Sequence, residues 1–355
     1  MLNIREFRND EFVNRDDEIK FLKEWFDKTP KEILWMYGPK STGKTTLIEY
    51  VIENELFDDF KLFKSEQYNI KYINFRRKII GNYKMFLDSI IKAEDNDEVS
   101  VNLNLGVLRL SKTLYDKTRS KEEDVFDVLM DYFKQSKKKN ILVIDEIQVL
   151  EDIYIDNEKE LLKEFLNFCV RLTKETHLAH VIILSSNTIF INEIYNHSKL
   201  KVTSEFKEIQ HMSKETTFEY LKIKGFNDEE IEMIWEYIGG CIPLLQKMIN
   251  LKQYEPTLKD YLEKRTLYAK SEIMMSFGEL LMKDKIYLKD DFMKVIKKII
   301  EDGYYLLDFS DKNIFDVVTY FAEKEILFFD PLSNKVTGNN RTYEKAFEKM
   351  IEENS

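Results

Sequence analysis

One octapeptide narrows the possible folds of this chain more than anything else in it. Gly38-Pro39-Lys40-Ser41-Thr42-Gly43-Lys44-Thr45 follows a short apolar run, Lys31–Tyr37, and is followed through Thr46 by Leu47–Ile52, which reads as a helix. Glycines at both ends let the backbone turn tightly, so that successive N–H groups converge on one point. The helix that follows adds the positive end of its dipole to the same place. A strand, a G-x-x-x-x-G-K-T loop and a helix in this order predict a phosphate-binding loop at one end of a parallel sheet. Lys44 then reaches the outer phosphates, the Thr45 hydroxyl ligates Mg²⁺, and Gly38, Pro39, Lys40, Ser41, Thr42, Gly43 and Thr46 complete the cradle. The expected cofactors are ATP or ADP with Mg²⁺.

A second carboxylate-bearing segment fits that metal. The chain turns polar after Ile141-Leu142-Val143-Ile144, at Asp145-Glu146. Open α/β sheets bind ligands at the carboxyl ends of their strands. Asp145 is expected to hold Mg²⁺ through water, and Glu146 to orient and activate the attacking water. A third apolar run, His180–Leu184, ends in Ser185-Ser186-Asn187-Thr188, where Asn187 or Ser186 can touch the γ-phosphate or the lytic water. A small-molecule kinase is disfavoured, because the Asp145-Glu146 pair suits activation of water.

Four stretches together resemble the archaeal ATPase family, a branch of the AAA+/STAND P-loop ATPases. Phe12–Leu22 looks like its opening box, in which Asn14 and Arg15 match the pair that flanks the adenine. Tyr37–Thr45 is similar to its phosphate loop, and Val143–Gln148 to its D-E-x-Q box. Gly239-Gly240-Cys241-Ile242-Pro243 resembles the turn that opens a lid helix over the nucleotide, with one residue more than usual. The likeness spans roughly residues 10–350. It implies an ATPase with a helical lid and a C-terminal winged helix. Relatives usually carry an arginine near the stretch that is Asn196–Thr203 here, where this chain has none. An arginine acting on the transition state is worth orders of magnitude in rate, so slow turnover is expected, or a lysine in its place, or a finger supplied from elsewhere, such as Arg76 or Arg171.

The remaining chain reads as three units: an α/β ATPase domain over 1–211, a helical lid over 212–265 and a winged-helix-like domain over 266–355. With 43% hydrophobic residues each unit can bury a core, and 5 Pro and 10 Gly mark no linker. Ser213 is placed as a helix N-cap, and Gly225–Ile231 as a turn into a second capped helix. Val99–Leu110 alternates apolar and polar residues, which predicts an inserted hairpin. Helices are expected at Ser271–Met282, Asp290–Glu301, Lys312–Lys324 and Arg341–Ile351, with a ribbon of Ile326–Phe329 and Lys335–Thr337.

Charge bears on partners. The net charge is −11, and residues 256–355 hold 16 basic and 19 acidic residues. The expected recognition helix, Lys312–Phe321, carries one Lys and one Asp, which is poor chemistry for phosphates. DNA is therefore a possible but disfavoured partner, and a protein partner or self-association is preferred. No run of 18 apolar residues or signal-like start is present, so a cytoplasmic protein without membrane contact is expected. The favoured reading is a nucleotide-controlled switch. The alternative is a DNA-associated AAA+ ATPase.

Overall fold

The computed structural model describes residues 2–61, 64–76, 78–93, 108–155, 159–197, 199–251 and 257–353. An N-terminal hairpin of β1 (Ile4–Phe7) and β2 (Asp10–Val13) leads into α1 (Asp16–Asp27). Then come β3 (Ile33–Tyr37), α2 (Lys44–Val51), β4 (Tyr68–Asn74), α3 (Tyr83–Ile90), β5 (Ile91–Ala93), β6 (Leu108–Leu110), α4 (Lys112–Arg119) and α5 (Val125–Gln135). They are followed by β7 (Lys139–Asp145), β8 (Tyr154–Ile155), β9 (Lys159–Glu160), α6 (Leu161–Val170), β10 (Ala179–Ser185), α7 (Thr188–His197) and β11 (Ser204–Glu208).

Five of these strands form one parallel sheet in the order β11-β3-β10-β7-β4. Its three inner strands, β3, β10 and β7, carry continuous apolar runs because both faces are covered. Side chains alternate between them. Ile33, Trp35 and Tyr37 of β3, with Leu142 and Ile144 of β7 and Val181 and Ile183 of β10, face a core shared with α3, α5 and α6. Leu34 and Met36, Ile141 and Val143, and Ile182 and Leu184 face the opposite core with α1 and α2. The connections leaving β3 and β10 head for opposite edges of the sheet, which opens a crevice beyond the carboxyl ends of these neighbours. Register puts Ser185 beside Tyr37, and Asp145 beside Leu184 and Asn74. The polar ends expected to carry the chemistry are thus level with one another.

Three helices follow: α8 (Lys214–Ile223), α9 (Asp228–Ile238) and α10 (Ile242–Leu251). Ser213 caps α8, and Asn227 with Glu230 forms a reciprocal capping box on α9. Their apolar faces share a core with Val13. The 25-residue helix α11 (Leu258–Met282) runs unbroken through residues 265 and 266, where the sequence reading divided lid from C-terminal unit. The helix read at Ser271–Met282 is its second half. Thr257 caps its start, accepting from the Asp260 N–H at 3.3 Å.

The C-terminal unit continues with α12 (Leu288–Asp302), β12 (Tyr305–Leu306), α13 (Lys312–Glu323), β13 (Leu327–Asp330), β14 (Lys335–Gly338) and α14 (Arg341–Glu353). The ribbon gains a third strand, in the order β12-β14-β13. Of the hairpin read at Val99–Leu110, residues 99–107 lie outside the described residues, and Leu108–Leu110 pairs in parallel with Ile91–Ala93. Among the described residues, no helix is long and apolar enough to cross a membrane.

Candidate functional site

The loop after β3 is built by close backbone approach. Gly38 has φ +145, and a Cβ there would come within 2.2 Å of the Ile209 carbonyl oxygen, so no other residue fits. Gly43, at φ +86, caps the N-terminus of α2, which aims its first amides into the loop. Inside the turn the buried Thr42 hydroxyl donates to the Pro39 carbonyl at 3.1 Å. The Lys44 ammonium donates to the Gly38 and Pro39 carbonyls at 2.9 and 2.8 Å. Burial pulls its pKa down to about 8, outweighing the attraction of Glu146 and Asp145. Thr46 is exposed on the outer side of α2.

Thr45 and Asp145 meet. The Thr45 hydroxyl donates to Asp145 Oδ2 at 3.0 Å, and Tyr72 Oη and Asn74 Nδ2 reach the same oxygen at 3.2 and 3.3 Å. Burial raises the Asp145 pKa despite these donors. A buried carboxylate served only by neutral donors fits a cation beside it, because a nearby positive charge relieves the cost of its desolvation. Thr45 and Asp145 are the residues that could hold Mg²⁺ there.

Glu146 leaves β7 at φ +62. Its carboxylate is gripped on both sides, by an ion pair with Arg76 and a hydrogen bond from Gln148 Nε2. Glu146 lines a cleft with Lys40, Arg76, Ser186, Asn187 and Glu325. The Asn187 side-chain oxygen accepts from the Phe190 N–H at 3.1 Å, so this residue also caps α7. Arg171, the other cation considered from the sequence, pairs with Asp127 instead. It does not line this cleft.

The opening box sits against the loop from the other side. Arg15 donates to the Thr42 and Gln210 carbonyls, both at 2.8 Å, and pairs with Glu18. Asn14 Nδ2 donates to Thr216 Oγ1 at 3.2 Å, tying the N-terminal segment to α8. Pro243, in the first turn of α10, lines a second cleft with Lys40, Ser41, Lys247 and Arg265. Gly240 makes that turn possible, since a Cβ on it would meet the Met212 carbonyl oxygen at 1.9 Å.

The C-terminal unit also reaches the loop. The Lys40 N–H donates to Asn339 Oδ1 at 3.1 Å, and its ammonium pairs with Glu325. Tyr37 Oη donates to Asp330 at 2.9 Å. His211 Nε2 lies 3.1 Å from the Asn339 carbonyl, and burial holds this imidazole near pKa 4, so at neutral pH it is uncharged and donates. Sequence reasoning missed Tyr72, Asn74, Gln148, Asn339, Glu325, Lys247 and Arg265. Gln148 stood within the D-E-x-Q box and could have been found. Asn339 and Glu325 lie 299 and 285 residues from Lys40, where no local signal exists.

The family model for an ATPase domain found predominantly in Archaea matches residues 12–248. The chain belongs to this family. It is a nucleotide-binding P-loop ATPase with a parallel α/β sheet. ATP-binding proteins of Methanocaldococcus jannaschii are similar along almost their whole length. One is 29% identical over 96% of this chain and 98% of its own, and another is 32% identical over 96% and 95%. An ATP-binding protein of Pyrococcus abyssi is 26% identical over 96% and 99%. Among solved structures, the ADP form of the Aeropyrum pernix ORC2 protein aligns over 96% of this chain and 94% of that chain, at 10% identity and a TM-score of 0.48.

Proposed function

We propose that this protein is a slow, Mg²⁺-dependent ATPase that works as a nucleotide-controlled switch, with a winged-helix C-terminal unit as the moving part and another protein as its partner. In this reading Lys44 and the loop amides bind the triphosphate, while Thr45 and Asp145 hold the metal. Glu146 positions water, Ser186 and Asn187 face the γ-phosphate, and Asn14, Arg15 and Pro243 frame the base and lid.

The observation that carries the switch is the grip of Asn339 on the backbone of Lys40. The same loop must embrace the phosphates, so a bound triphosphate and the C-terminal unit bear on one segment of chain. A ligand that favours one arrangement of that segment shifts the other. Slow turnover is supported by the clamp on Glu146, whose two oxygens are both engaged by Arg76 and Gln148. A protein partner is favoured over DNA because the buried face of α13 (Ile314, Val317, Val318, Phe321) forms core, and the helix also packs on α7.

The test is an ATPase assay on the full chain, with and without single- and double-stranded DNA. Lys44→Ala is expected to lose nucleotide binding. Glu146→Gln is expected to bind ATP as wild type does and to fall in kcat by at least about a hundredfold. Arg76→Ala, which frees one of the two Glu146 oxygens, is expected to raise kcat severalfold. Wild-type turnover in Glu146→Gln would remove Glu146 from its role. Strong stimulation by DNA would replace the switch with the DNA-associated reading.

A further inference from the structure

The second cleft, of about 240 Å³, opens where the phosphate loop, α10, α11 and the C-terminal unit meet. That is several times the ~30 Å³ share of a water molecule in the liquid, so a polyatomic group fits it. Five charged residues line it: Lys40, Lys247, Arg265, Glu272 and Glu325. Three of them are already engaged. Lys40 and Glu325 pair with each other, and Glu272 accepts from Tyr343 Oη at 2.7 Å. Among the described residues, Lys247 of α10 and Arg265 of α11 have neither an ion pair nor a hydrogen bond, and Arg265 Nε is buried without an acceptor.

Both cations bear on the same spot. Burial pushes the Cys241 thiol, at the start of α10, up to about 11, and Arg265 and Lys247 are the charges that pull against it. Two like charges this close, one of them with a buried N–H, are stabilised by an anion between them. Helix ends add to the field. First-turn residues of α10 (Pro243 and Leu244) and of α14 (Thr342 and Tyr343) line the cleft, so the positive ends of two helix dipoles border it. A planar guanidinium, an ammonium and two helix ends suit an anion with several oxygens. Lys40 and Ser41 form one wall, which sets that anion beside the phosphate loop.

We infer that the second cleft is a site for a phosphoryl group, with Arg265 and Lys247 as its binding cations. Two sources share that chemistry: the terminal phosphate of a nucleotide seated in the loop, and a second phosphorylated molecule. The first rests on the nucleotide site proposed above, and the second does not.

Calorimetry on the full chain with Mg²⁺ tests it, comparing wild type with the double variant Arg265→Gln, Lys247→Gln. The titrants are ADP, the non-hydrolysable β,γ-imido analogue of ATP, and inorganic pyrophosphate added to protein saturated with that analogue. If the terminal phosphate fills the cleft, the double variant loses at least about tenfold in affinity for the analogue and less than about twofold for ADP. Pyrophosphate then binds neither protein. If a second molecule fills it, analogue affinity is unchanged, and pyrophosphate binds the saturated wild type but not the variant. Lys247 is exposed, so Lys247→Gln alone should show a smaller loss of the same kind with the fold intact. Arg265→Lys, which keeps the charge, should recover part of the loss. A double variant that matches wild type with all three titrants overturns the inference, and so does an equal loss for ADP and the analogue. Should wild type bind no nucleotide, the nucleotide site falls by itself, and pyrophosphate titrated into the free chain decides the cleft. Binding lost in the double variant then upholds it, and binding that survives there, or none in wild type, overturns it.

Discussion

Lys44 holds its ammonium in a nearly dry turn against two carbonyl oxygens, and desolvation sets its pKa near 8 instead of the usual 10.5. Its folded value is depressed below the unfolded one. Between pH 8 and 10.5 the unfolded chain therefore binds the extra proton, and the cost of burying the ammonium fades as pH rises through that window. Nucleotide binding runs the other way, because phosphate charge favours protonated Lys44. Above pH 8 a triphosphate must bring a proton with it, and affinity is expected to fall by up to about tenfold per pH unit. Calorimetry at pH 7.5 and 9.5, in two buffers of different ionisation enthalpy, measures both the affinity and the proton uptake. An affinity unchanged across that range rules out Lys44 as the phosphate-binding cation. The local chemistry of Lys44, Thr45 and Asp145 was legible in the sequence because the motif spaces them by fixed elements. The clamp on Glu146 was not, since Arg76 arrives from a different strand end.

At the level of elements, strands β3, β7 and β10 announce themselves because both faces are buried and each carries an unbroken apolar run, Ile33–Tyr37, Ile141–Ile144 and Val181–Leu184. β11 reads Ser-Glu-Phe-Lys-Glu, an edge strand with one apolar residue, and gives no such mark. α11 was half-read for a related reason. Apolar residues lie on its covered face and on its open one, which blurs the helical period. The helices of the C-terminal unit are held by an aromatic cluster, in which Phe292 sits 4.0 Å from Phe321, 5.5 Å from Phe277 and 5.8 Å from Phe347, centroid to centroid. Phe292 is fully buried. Phe292→Ala is expected to cost about 3–5 kcal/mol, read as a lowered denaturant midpoint for the C-terminal unit. A loss below about 1 kcal/mol would mean that the cluster relaxes to fill the gap.

Across the whole molecule, the C-terminal unit is joined to the ATPase core by exchanged side chains. Ile189 of α7 enters the C-terminal core, and Phe328 of β13 enters the core beside the sheet. Polar contacts add Tyr37 to Asp330 and Asn339 to Lys40, while Arg341 Nε donates to the Glu236 carbonyl of α9 at 3.0 Å. Their weights differ. The Lys40–Glu325 pair is exposed on both sides and is worth well under about 1 kcal/mol. Asn339 is buried, so removing it strands the Lys40 N–H at a cost of about 1–3 kcal/mol. If the C-terminal unit and the triphosphate compete for the loop, Asn339→Ala should raise triphosphate affinity roughly fivefold or more, and Glu325→Gln should hardly change it. Calorimetry on the two variants decides the point, and equal affinities in both would uncouple the C-terminal unit from the nucleotide.

Residue order alone determined the phosphate loop, the Asp145-Glu146 pair at the end of β7 and the capped helices α8 and α9. Each depends on neighbours a few residues apart, where backbone geometry and side-chain period act directly. Only the tertiary structure decided which side chains hold Glu146 and what rests on Lys40. It also decided that one face of α11 stays open. Those facts depend on groups brought together across up to 299 residues of chain, and burial, which sets both their cost and their pKa, exists only once the cores have closed.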